Sequence, residues 1–195
     1  MEWFFNFPDM SRSDLREFKK TVDFAFTDFS RSYGAEIEGF FEPLLMFLVW
    51  FEKFFINTPW PLIIFGILVL AWIGSRSIPV VIGTFLSFML IGYFGMWEDT
   101  MSTLAIILVA TFLCISIGIP MGIAMARSNK VQAVIVPVLD VMQTIPSFVY
   151  LIPVVMLLGI GKVPGLIAVC IYAIPPIVRL TNLGIRLVDK DVLEA

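Results

Sequence analysis

Histidine is absent from this chain, and cysteine occurs only twice, at Cys114 and Cys170. Both thiols stand inside apolar runs without CxxC spacing, so they read as small packing residues. A metal centre built on His or Cys is therefore not expected. Charge is also scarce. Only 15% of residues are Asp, Glu, Lys or Arg, and 59% are hydrophobic, whereas a soluble domain carries about a quarter charged residues. The net charge is −3 and no basic stripe occurs, so nucleic acid is not an expected partner. No nucleophile–base pair stands at workable spacing, which argues against an enzyme. Residues 1–30 lack the continuous apolar stretch and small-residue cleavage site of a secretory signal.

What remains is long apolar runs separated by short charged clusters. Most charges lie in the first 58 residues, which hold ten acids and six bases. This is the pattern of an all-α polytopic membrane protein with a polar amino-terminal region. Residues 1–36 predict an amphipathic helix. Asp14 and Glu17 suggest its start, Leu15, Phe18, Val22, Phe26 and Phe29 recur near a helical period, and Gly34 would end it. It could pack on its own protein or lie on the membrane surface. Residues 37–57 are very apolar but carry Glu42, Glu52 and Lys53, so their clean run falls short of the ~20 residues a span needs. An interfacial helix is the favoured reading, with a true span as the alternative.

Five spans are expected, at about Pro59–Ser75, Ile78–Phe94, Thr100–Ala126, Val131–Leu158 and Val163–Leu187. The first two make an accessory pair within residues 58–99, and the others lie within a core, 100–195. Arg76, Arg127 with Lys130, and Arg186 with Lys190 follow the first, third and fifth spans. The positive-inside rule puts those loops in the cytoplasm and the amino terminus outside. If 37–57 crosses, the amino terminus moves inside.

The fourth span holds the main candidate site. Asp140, Gln143, Thr144 and Ser147 stand at i, i+3, i+4 and i+7, on one face if the helix is continuous. Lipid is a costly neighbour for such a face, so it should meet protein or water. Pro146, directly before Ser147, and Pro153 after it should each break the helix. The fifth span carries Pro175 and Pro176, which predict a second break, and then Arg179. Two interrupted spans side by side favour a transporter over an anchor, with these polar residues lining or supporting its pathway. Serine and threonine also serve as ordinary helix–helix contacts. Asp140 lies ~14 Å and Arg179 ~12 Å from the cytoplasmic ends of their spans, counted at 1.5 Å per residue. They could pair and fix register, or Arg179 could extend to the surface. On the third span Cys114, Gly118, Gly122 and Ala126 repeat every four residues, a seam that admits another backbone closely.

The run "ARSNKVQAVIVPVLDVMQTIPSFVYLIPVVMLLGIGKVPG", followed by "AIPPIVRLTNLGI" and "LEA", resembles the permease subunit of glycine betaine/proline betaine ABC importers. The resemblance is strong from about Thr100 to Ala195, looser over the five dozen or so residues before it, and slight over the first 36. It implies a bacterial inner-membrane permease that pairs with a second copy of itself. It also implies two ATP-binding ABC subunits on the cytoplasmic side, which hold the ATP, and a substrate-binding protein outside. No cofactor would sit on this chain. Glu194 and Ala195 match the start of the loop that contacts the ATPase in such importers. The later part of that loop and further spans are not in the sequence, so function is expected of a longer permease. A permease for amino acids or other osmolytes, and a non-transporting membrane fragment, are the alternatives.

Overall fold

The computed structural model describes residues 10–188. Seven helices follow one another there: α1 (Arg12–Asn57), α2 (Trp60–Ser75), α3 (Ile78–Tyr93), α4 (Trp97–Arg127), α5 (Asn129–Thr144), α6 (Ser147–Leu158) and α7 (Lys162–Arg186). No strand occurs among the described residues. Glu194 and Ala195 lie outside them.

The amino-terminal region differs from its expectation. One 46-residue helix replaces a tail helix and a separate 37–57 helix. It begins earlier than Asp14, because the Ser11 side chain accepts the Asp14 N–H at 3.2 Å and caps the first turn. Gly34 does not stop it. A glycine terminates a helix when it takes a left-handed conformation, and the glycines with positive φ are Gly95 and Gly159. Pro43 is inside the helix as well. Phe41, Leu44, Leu48 and Phe51 share one helical face on both sides of Pro43, and all join one cluster with Val109, Ala110, Val163 and Leu166. This common apolar partner carries the helix through its proline. At Thr58 and Pro59 the chain then turns by 100° into α2.

Helices α4 and α7 form the most extensive contact in the fold. They run parallel. Ala110 and Leu166 share a cluster, Gly118 meets Ile177, and Gly122 meets Thr181. The glycine seam explains the closeness. A Cβ on Gly118 would stand 2.8 Å from Ile177 Cγ2. One on Gly122 would stand 2.5 Å from Thr181 Cβ and 2.8 Å from the Val178 carbonyl oxygen. Cys114 continues the seam, fully buried, with its thiol 4.0 Å from the Cys170 carbonyl oxygen.

Parallel α4 and α7 require the chain between them to return across the same thickness. Helices α5 and α6 do so, but not as one helix. They bend by 89° at Ile145–Pro146. At 1.5 Å per residue their legs measure about 24 and 18 Å, and a right-angled path joins points about 30 Å apart, close to the hydrocarbon thickness.

Two further expectations change. The prolines of the last span do not break it, since α7 is continuous through Pro175 and Pro176. Pro175 and Val178 are buried, and Val178 packs in a second cluster with Met125 and Leu139. Neighbouring helices thus hold this segment helical where the prolines withdraw backbone donors. Pro153 likewise lies inside a continuous α6. The expectation of five spans is also modified. Among the described residues, only α4 and α7 are long and apolar enough to cross alone, and the number rises to four if the bent pairs α1–α2 and α5–α6 each count as one. Helix α3 is a shorter apolar helix of 16 residues.

The seam yields a graded prediction. Gly122→Ala faces a backbone carbonyl that cannot rotate away, whereas Gly118→Ala meets a movable side chain. Overpacking of this kind costs ~1–3 kcal/mol, so Gly122→Ala should lie at the upper end and Gly118→Ala below it. Denaturant unfolding of the purified chain in detergent measures both. Equal, negligible effects would mean that the helices are not in this contact.

Candidate functional site at the broken helix

The break is built around the Val141 carbonyl. Pro146 has no N–H to give to the preceding turn, and α5 ends at Thr144. The Val141 oxygen accepts from the Ile145 N–H at 3.2 Å, the Thr144 hydroxyl at 3.3 Å and the Tyr150 hydroxyl at 2.7 Å. Tyr150 reaches back from α6 to do this, so a side chain beyond the bend stabilises the end of the helix before it. Around the bend lies a cleft of about 200 Å³, lined by Gln143, Ser147, Tyr150 and Tyr172 among others.

The bend alters the polar stripe. Asp140, Gln143 and Thr144 belong to α5, but Ser147 opens α6, so the four do not share one helical face. Gln143 and Ser147 still meet at the cleft, brought there by the elbow rather than by helical periodicity. All four side chains are exposed on this chain. The chain by itself does not cover them.

Asp140 and Arg179 do meet. Arg179 Nη2 donates to Asp140 Oδ1 and joins α5 to α7. The aspartate and arginine side chains are 53% and 42% exposed. Where water reaches it, an ion pair this exposed adds about 0–1 kcal/mol, so it sets register more than stability. Arg179 Nε is buried without a hydrogen-bond partner, which leaves one guanidinium donor unused.

Two polar clusters escaped the sequence reading, one at each end of α7. At its start, Lys162 Nζ donates to Glu52 Oε2 and the Ser102 hydroxyl donates to Glu52 Oε1. Glu52 is on α1 and its side chain is 11% exposed. One carboxylate therefore ties α1 to the first turns of α4 and α7. An acid amid aromatic residues should have prompted a search for its partner. Lys162, a lone base between two apolar runs, was the visible candidate. At the other end, Arg186 Nε donates to Asn182 Oδ1 at 3.0 Å, and Arg186 Nη2 to the Met125 carbonyl and Asn129 Oδ1, each at 2.8 Å. No group of three or more metal-ligating side chains gathers among the described residues.

Parallel apolar helices beside a bent segment that carries polar side chains define an all-α polytopic membrane protein with a built break in one helix pair. Residues 118–195 match the family described as binding-protein-dependent transport system inner membrane component. Over those residues the chain carries this family's domain, and its apolar helices fit a multi-pass inner-membrane protein. It is 44% identical over 158 residues to the glycine betaine/proline betaine transport system permease protein ProW of Escherichia coli K12, covering 81% of this chain and 44% of that protein. It is 43% identical over 139 residues to the glycine betaine/carnitine transport permease protein GbuB of Listeria monocytogenes, covering 70% and 49%. It is 42% identical over 124 residues to the glycine betaine transport system permease protein OpuAB of Bacillus subtilis, covering 64% and 43%. The chain thus spans less than half the length of these relatives.

The Glu52 cluster gives a prediction that the open Asp140–Arg179 pair does not share. Lys162→Met strands a nearly buried carboxylate and should cost ~3 kcal/mol. Adding Glu52→Gln should recover most of that loss. A double-mutant cycle on unfolding in detergent measures the coupling. A Lys162→Met loss below about 0.5 kcal/mol, typical of solvated surface positions, would show that water reaches the pair.

Proposed function

We propose that this chain forms the translocation pathway of a permease subunit in an ATP-driven importer of compact, methylated ammonium solutes of the glycine betaine and proline betaine type. Support comes from the names of its relatives, which transport glycine betaine, proline betaine or carnitine, and from the site itself. One observation carries most weight: a crossing bent by 89° that leaves Asp140, Gln143, Thr144 and Ser147 exposed on this chain. Polar groups at membrane depth face protein or a water-filled path, because lipid solvates them poorly. A second copy of the chain and an aqueous pathway between the copies would supply that surrounding.

The orientation follows from loop charge, with the Arg127 and Arg186 ends in the cytoplasm. The carboxyl end of α1 would then lie at the outer interface, with the accessory pair α2–α3 beside the core. The ATP-binding subunits would dock on the cytoplasmic side through the segment that includes Glu194 and Ala195. A substrate-binding protein would deliver solute from outside. The permease makes and breaks no bonds, and ATP is bound and hydrolysed by its partners. It alternates access as those partners close and open the cytoplasmic side.

Proteoliposomes holding the permease with its ATPase and binding protein test the reading. Glycine betaine uptake should require ATP and be competed by proline betaine. Arg179→Gln and Asp140→Asn should each lower uptake about fivefold or more, the scale of a coupling of roughly 1 kcal/mol. The exchange Asp140→Arg with Arg179→Asp should recover part of it. ATP-dependent uptake of an unmethylated amino acid in place of betaine would move the assignment to another importer class.

A further inference from the structure

Arg186 hydrogen-bonds to two other helices, α4 and α5, and to its own helix as well. It stands in the last turn of α7. Its guanidinium reaches the Met125 carbonyl near the end of α4 and the Asn129 side chain at the start of α5, each at 2.8 Å, while Asn182 holds Nε at 3.0 Å. Asn182 is itself buried. The Met125 carbonyl belongs to the group that a helix terminus leaves without an intrahelical donor, so Arg186 also serves as a cap for α4. Ser128 closes the same corner, its side chain accepting the Val131 N–H at 3.4 Å. The end of α7 and the α4–α5 turn are thereby fastened to one cationic centre.

We infer that Arg186 is a positioning residue that makes the α4–α5 turn and the end of α7 move as one piece. The inference rests on the proposed function, which docks the ATPase on the segment just past Arg186. A displacement of that segment reaches α5 by two routes. One runs along α7 to Arg179 and Asp140. The other passes through Arg186 to Asn129, the first residue of α5, and along α5 to the break at Pro146. Both routes end at the polar elbow, so closure on the cytoplasmic side is carried to the pathway. The planar guanidinium suits this task because it directs several donors at fixed angles, which an ammonium cannot do.

The test measures ATP hydrolysed per solute imported, in proteoliposomes containing the complete permease, its ATPase and its binding protein, with glycine betaine as solute. Arg186→Ala should raise that ratio roughly fivefold or more, the lower range of site-to-site coupling. Arg186→Lys should raise it by less. Asn129→Ala, at an exposed position, removes one arm of the clamp without uncovering a buried group and should also raise it. A purely structural role would lower hydrolysis and uptake in proportion and leave the ratio unchanged, and that result overturns the inference. If Arg186→Ala does not assemble, an unchanged ratio in both Arg186→Lys and Asn129→Ala overturns it equally. Wild-type proteoliposomes without solute-stimulated hydrolysis would instead overturn the functional reading, and this inference with it.

Discussion

Gly118 and Gly122 let α7 lie against α4 so closely that the Val178 carbonyl and the Thr181 side chain occupy the space where side chains would otherwise stand. Most of the other tertiary features depend on that approach. Inside a membrane, apolar surface gains little by leaving lipid, so helices associate through close packing and shared hydrogen bonds. Small residues at four-residue intervals supply the packing here. Once the two helices are parallel and in register, the intervening chain has to cross back, and a bent α5–α6 is the crossing it makes.

The cations of α7 then fall into place at three levels. Lys162 meets Glu52 at its start, Arg179 meets Asp140 further along, and Arg186 binds the α4–α5 corner at its end. Together these contacts join α7 to α1, α4 and α5, so α7 acts as a spine for all three. The levels differ physically. The Glu52 carboxylate is nearly buried and its pairing bears on stability. The Asp140 pair is open and bears on register. The Arg186 cluster binds backbone as well as side chains and fixes the geometry of a corner.

Much of this was legible in the sequence, for reasons that can be named. The ends of α2, α3, α4 and α7 follow apolar runs bounded by charges, and the expected and observed limits agree within a few residues. The small-residue seam was visible as a period of four, and Pro146 marked the break. The failures share one cause. Gly34, Pro175 and Pro176 were read by local propensity, but Gly34 stays inside α1, and apolar partners on other helices hold the Pro175–Pro176 segment helical. The polar stripe was read by helical period, and the bend then sent Ser147 along another axis. The Glu52–Lys162 contact joins residues 110 positions apart, so each charge was weighed only for its effect on its own run.

The claim that governs the rest is that α4 and α7 touch through the glycine seam. Disulfide trapping in native membranes addresses it directly. A Cβ on Gly118 would lie 3.2 Å from Ile177 Cβ, a little inside the usual ~3.8 Å separation of bridged cysteines. The pair Gly118→Cys with Ile177→Cys should form an intrachain bond under mild oxidation. Gly118→Cys with Leu180→Cys, whose second position faces outward at 68% exposure, should not. Bond formation in both pairs alike, or in the second alone, would contradict the packing on which this account stands.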